Sequence, residues 1–117
     1  DVRYVLPGVD RQDVAVAFDI RHATVEGGLA WPTDFGVIRP HLGAVYVKDF
    51  VWAGRKPKNV PLGQGRIDRA FFPLLKRSKF VGPISLHVEY LPDAGENENV
   101  AALENDLKTL KLLLSGD

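Results

Sequence analysis

Ionisable side chains stand at the ends of three short apolar segments of this chain, and they share one parity. Along residues 14–20, 43–49 and 83–90, successive side chains of an extended backbone face opposite sides. One side carries Val16, Phe18 and Ile20, then Val45 and Val47, then Ile84, Leu86 and Val88. The other carries Ala15, Ala17 and Asp19, then Ala44, Tyr46 and Lys48, then Ser85, His87 and Glu89. On this second side every segment begins small and ends polar or charged, and His22 follows Asp19 by three residues. Carboxylates, imidazoles and an ammonium gathered at one place are the groups that hold charge and move protons. Under helices on both faces of a sheet they would be costly to bury. At the C-terminal mouth of a barrel lumen they are where an active site belongs.

These groups need a scaffold, and the sequence supplies alternating elements. Strands are expected over 14–20, 43–49 and 83–90, each followed by a helical pattern. After the first strand, Gly27-Gly28 and Trp31-Pro32-Thr33-Asp34 lead to a short helix over 34–41, with His41 as a cap at its end. A loop rich in Gly, Pro, Lys and Arg spans 50–65. Asp68 opens an amphipathic segment running to Phe80, with Pro73 in its first turn or kinking it. A polar stretch over 92–99 precedes the clearest helix, where Val100, Leu103, Leu107, Leu110 and Leu114 recur at helical spacing before Ser115-Gly116. Residues 1–13 read as the tail of another helix and a connection. Such β-α alternation specifies an α/β fold with a parallel sheet and right-handed crossovers.

Composition narrows the function. The 117 residues fit one domain, residues 1–117. Fifteen Lys and Arg balance fifteen Asp and Glu, against the basic excess of a nucleic-acid-binding module. No apolar run approaches the roughly 20 residues of a membrane span, and no signal segment opens the chain, so a cytoplasmic location is expected. Without cysteine there is no disulfide, thiolate metal site or cysteine nucleophile. No Gly-x-Gly-x-x-Gly follows the first strand, and no Lys-Ser or Lys-Thr follows Gly63-Gln64-Gly65, which is therefore a turn. The chain contains no methionine. Three strands leave both sheet edges open, and a complete eight-stranded barrel takes about 250 residues. The expectation is a piece of a larger barrel.

Four stretches then stand in the order and approximate spacing of one family. They are Phe18-Asp19-Ile20-Arg21-His22-Ala23, Val45-Tyr46-Val47-Lys48-Asp49, Pro61-Leu62-Gly63-Gln64-Gly65-Arg66-Ile67-Asp68, and Gly82-Pro83-Ile84-Ser85-Leu86-His87-Val88-Glu89-Tyr90. Over nearly its whole length the chain resembles the C-terminal part of a xylose isomerase-like TIM barrel, the sugar phosphate isomerase/epimerase family. The resemblance implies a partial (β/α)8 barrel, its last three β-α units, with a divalent metal (Mn, Co or Mg) at the mouth. It implies Asp19 and Glu89 as metal ligands and Glu89 as an acid/base group. His22 would contact the metal-bound water or the substrate. The family's seventh-strand histidine aligns with Tyr46, a departure, since a phenol ordinarily holds its proton to about pH 10. His87 would then supply an imidazole, or would itself be the final ligand; the Glu-Tyr context favours Glu89. Moving a proton next to a carbonyl needs a carboxylate base and a cation for the enediolate oxygens. Lys48 and the cations Arg21, Arg55, Lys56, Lys58 and Arg66 would meet hydroxyls or a phosphate of the substrate.

Plainer readings stand beside these. Asp19 can simply cap a turn, His22 can be a surface histidine, and His87 with Glu89 can be a structural hydrogen-bonded pair. Tyr46 can fill the lumen. Lys48-Asp49 reads as structural, with Asp49 pointing to the helix side. As functions, a metal-dependent isomerase or epimerase on a sugar or sugar phosphate stands first. A metal-dependent phosphodiesterase or endonuclease on the same barrel, and a degenerate non-catalytic barrel, are the alternatives. A small sugar is the expected partner, with no nucleic acid, no membrane and an open question of homo-oligomers.

Overall fold

β-branched and aromatic residues suit a half-buried pleated strand, and the first such run forms a strand in the computed structural model, which describes residues 2–116. A single helical turn, α1 (Val2–Val5), and a string of turns precede it; of the expected opening segment, residue 1 lies outside the described residues. The strand itself, β1 (Val16–Asp19), is shorter than expected because Asp19 turns the chain directly into α2 (Ile20–Gly27). The Asp19 Oδ1 accepts the backbone N–H of His22 at 3.0 Å, satisfying one of the free donors of a first helical turn.

Helix α2 is an addition to the expected elements, since the sequence places no helix between the first strand and the one over 34–41. Its eight residues give barely two turns, and Ile20 also completes the apolar alternation of the strand, so the helical period is hidden. Gly28, at φ +54, ends it. A 3-10 turn then leads into α3 (Trp31–Ile38), where Pro32 sits in the first turn and removes no hydrogen bond. The helix expected over 34–41 therefore starts earlier, and Arg39, Pro40 and His41 tighten into a second 3-10 turn.

The second strand is β2 (Leu42–Val47). The larger correction comes directly after it. The expected loop over 50–65 contains an antiparallel hairpin, β3 (Asp49–Ala53) and β4 (Lys56–Val60), with Phe50 opposite Asn59. Pro57 and the cations Arg55, Lys56 and Lys58 hide β4 in the sequence, and its turn is Gly54-Arg55 in place of the usual Asn-Gly signal. Helix α4 (Phe71–Arg77) takes Pro73 in its first turn. The last strand, β5 (Ile84–Leu86), covers only part of 83–90. Beyond it the backbone still bonds to β2, the His87 N–H donating to the Val47 carbonyl at 3.0 Å. Helix α5 (Glu96–Ser115) begins in the expected polar stretch, with Glu96 and Glu98 favourably placed in its first turn.

Strands β1, β2 and β5 form one parallel sheet in chain order, which does not close on itself. The apolar parity packs outward as expected. Phe18, Ile20, Val45 and Val47 are buried under the helices, and Phe18, Trp31, Phe35 and Phe71 join in an aromatic cluster with centroid separations of 5.2 to 5.7 Å. Asp49 points to the same side and is 2% exposed. Its carboxylate accepts the backbone N–H groups of Phe50, Gly63, Gly65 and Ile67 at 2.9 to 3.2 Å. The Gly63-Gln64-Gly65 turn is thus wound around a buried carboxylate. Among the described residues no helix is long and apolar enough to cross a membrane.

Candidate functional site

The register of the sheet decides which side chains meet. Asp19 pairs with Tyr46, and Tyr46 with Ser85, in adjacent parallel strands, so the ends of the inner face lie side by side. Asp19 arrives at the end of β1, Lys48 just beyond β2, and His87 and Glu89 just beyond β5.

Lys48 joins them. Its Nζ lies 3.7 Å from Asp19 Oδ2 and 3.3 Å from Glu89 Oε2, with Oε1 at 3.4 Å. The lysine side chain is 11% exposed and that of Asp19 15%, whereas Glu89 is half in solvent. His22 Nε2 approaches Asp19 Oδ2 at 3.5 Å from the solvent side. His87 Nδ1 lies 3.3 Å from Glu89 Oε1, and its Nε2 is hydrogen-bonded to Ser85 Oγ at 3.0 Å. The Tyr46 ring packs on the His87 ring with centroids 5.1 Å apart. Burial pushes the Glu89 carboxyl up, but the Lys48 ammonium and then His87 outweigh it and hold the group below its ordinary value.

Asp19 therefore serves both of its sequence readings, as cap of α2 and as a wall of the mouth. Arg55 does not join the cluster: it sits in the Gly54-Arg55 turn at the far tip of the hairpin. Arg21 lies in the first turn of α2, its guanidinium 5.6 Å above the Phe50 ring, with a buried Nε that has no hydrogen-bond partner. Asn59 is a residue that sequence reasoning missed. Its amide donates to the Glu89 carbonyl at 3.4 Å while its own Oδ1 is buried without a partner. The signal was masked because β4 read as loop. A cavity of about 490 Å³ lined by Arg11, Arg39, Leu42 and Phe80 lies at the opposite end of β2 and contains none of these groups.

The donor set can be tested against a divalent ion. An ion held by carboxylate and imidazole wants several deprotonated donors around a common centre. Here an ammonium spans the two carboxylates, both His87 nitrogens are engaged by Glu89 and Ser85, and Tyr46 packs its ring on His87. Among the described residues no group of three or more His, Asp or Glu side chains is arranged to hold a metal. These residues do not fit a resident divalent ion. They form instead a carboxylate–ammonium–carboxylate line with an imidazole at each end.

No curated protein matches the chain. The protein-family description that does match, over residues 1–112, is Xylose isomerase-like TIM barrel.

Proposed function

The chain belongs to the xylose isomerase-like TIM barrel family, and on this basis we propose that it acts as an isomerase or epimerase on a sugar or sugar phosphate by moving a proton next to a carbonyl. The family is largely enzymatic, its members isomerases and endonucleases, and typically binds divalent metals. Lys48 stands between the two carboxylates in this chain, and the proton transfer falls to the side chains themselves.

The observation that carries the proposal is the convergence of Asp19, His22, Lys48, His87 and Glu89 at the C-terminal ends of three parallel strands, the end at which barrels of this kind do their chemistry. Glu89 is the proton carrier: half-exposed, ionised at neutral pH and reachable by a bound ligand, it takes the proton from the carbon beside the carbonyl. Returning that proton to the neighbouring carbon, while the hydroxyl proton passes from one oxygen to the other, isomerises; delivery of a proton to the opposite face of the same carbon by a second acid epimerises. His22, the most open of the group, serves as the second proton-handling residue and binds substrate hydroxyls. Lys48 faces the oxygen on which negative charge develops. Zero formal net charge disfavours the alternative of a nucleic-acid substrate, which calls for a positive surface.

Incubation of the protein with a panel of aldoses, ketoses and their phosphates in D2O tests the proposal directly. Deuterium should enter a sugar at the carbon next to the carbonyl, and Glu89→Gln should abolish the exchange. Cleavage of abasic DNA without exchange into any sugar would replace the reading with the endonuclease alternative, and neither activity would leave a non-catalytic barrel.

A further inference from the structure

A pair of carboxylates facing one another across a partly buried mouth needs a cation between them. Like charges at close range disfavour each other, and a dry site amplifies the cost. In this chain the cation is supplied covalently. Lys48 Nζ is within 3.7 Å of Asp19 and 3.3 Å of Glu89, on a side chain only 11% exposed. The neighbouring positions offer little to a second cation. His87 has a partner on each ring nitrogen, and the residue paired with both Asp19 and Ser85 is Tyr46, a phenol where a metal would want an imidazole.

We propose that the Lys48 ammonium is the resident cation of this site, holding Asp19 and Glu89 in the place where the family uses a divalent ion, so that the mouth is assembled and charged without metal. The two cations would do similar electrostatic work but differ in reach. An ammonium is a compact point charge with three donors, and Lys48 faces three carboxylate oxygens here, both of Glu89 and one of Asp19, so a ligand oxygen would take the donor that now makes the second contact to Glu89. A bound polyol or its enediolate would then be met by one N–H of Lys48. That last role rests on the proton-transfer function proposed above. Which cation occupies the site does not, and it can be measured without turnover.

Titration of the full chain with MnCl2, followed by calorimetry and by the electron paramagnetic resonance signal of free Mn2+, separates the two possibilities. The wild type should show only weak, non-stoichiometric uptake. Lys48→Met removes the competing charge and opens the carboxylates, so it should bind one Mn2+ at least about tenfold more tightly, and Lys48→Met with Tyr46→His more tightly still. Tight one-to-one binding of Mn2+ by the wild type would overturn the proposal. So would a folded Lys48→Met variant with no gain in affinity, since Lys48 would then not be what excludes the metal. Should circular dichroism show that Lys48→Met does not fold, Lys48→Gln carries the same comparison. A chain inactive on every sugar leaves these outcomes unchanged, so failure of the enzymatic reading and failure of this one are told apart.

Discussion

Single side chains in this mouth carry more than one duty, and substitutions should separate them. Asp19 caps α2 and binds Lys48. Asp19→Ala should cost about 1 kcal/mol of stability through the lost cap and should also remove activity, whereas Asp19→Asn keeps a capping oxygen and should lose activity with little change in melting temperature. Glu89 makes no such structural contribution from its half-exposed position, so Glu89→Gln should leave the circular dichroism spectrum intact while lowering turnover by about 100-fold or more. The Glu89 carboxyl lies below its ordinary value: burial raises it, and Lys48 and His87 more than reverse that. A depressed carboxylate adds stability that is present above the unfolded-state value and is lost as pH falls through the folded one. Exposure to solvent keeps that contribution small. Carbon-13 NMR titration should find the Glu89 value moving upward in Lys48→Met; an unchanged value would mean that the ion pair is not formed in solution.

Segments without regular structure are held by two buried carboxylates acting as anchors between elements. Asp49 gathers three backbone N–H groups of the turn over 63–67 besides that of Phe50 in β3, and Asp106, in α5, accepts the Leu62 N–H at 3.2 Å and the Tyr90 hydroxyl at 3.0 Å. Removing a partner from a buried charged group leaves its mate unsatisfied. Asp49→Ala should accordingly cost about 3 kcal/mol or more in a denaturant titration. Gly65 belongs to the same device, because a Cβ there would collide with the Asp49 carboxylate and the Phe50 carbonyl. The Tyr90 hydroxyl is pushed up to about 12, first by burial and then by Asp106, while burial, with Asp49 nearby, raises the Asp106 carboxyl. For Tyr90 the folded value exceeds the unfolded one, so its stabilising effect is complete below the ordinary tyrosine range and is lost as pH rises toward about 12. A tyrosinate absorbance titration should show one late step that Tyr90→Phe abolishes, and that variant should unfold about 1–3 kcal/mol more easily.

Among the described residues the parallel sheet is not closed, and both β1 and β5 keep an unpaired outer edge. Parallel strands are normally covered and fully paired, and an open edge is a template for another chain. Beside β5, Leu86, Val88, Val100 and Leu103 line a cavity of about 330 Å³, and Val100, Leu103 and Leu107 of α5 remain more than 40% exposed. A 117-residue chain of this form should therefore associate as its concentration rises. Sedimentation velocity over a hundredfold concentration range checks this, and Leu103→Lys should weaken the association; a monomer throughout would show that the edges are protected by twist and charge alone.

Much of this architecture was legible because its signals are local. Alternation along a strand is a property of two neighbouring residues. The division into an apolar side under the helices and a polar side ending in Asp19, Lys48, His87 and Glu89 could therefore be read directly from residue order, as could the parallel α/β class and the helical period of α5. The β3–β4 hairpin escaped because Pro57 and the charged residues of β4 are tolerated only at a sheet edge, a fact of placement that no local pattern carries. Helix α2 escaped because its start coincides with the end of β1. The electrostatic order of the mouth, by contrast, exists only in three dimensions. Lys48 and Glu89 lie 41 residues apart along the chain, and whether an ammonium reaches between two carboxylates depends on strand register at the scale of a few ångströms. Residue order already set Lys48 on the site side and Asp49 on the helix side; what the fold adds is the pairing of Lys48 with both Asp19 and Glu89 and the four backbone N–H groups that Asp49 gathers.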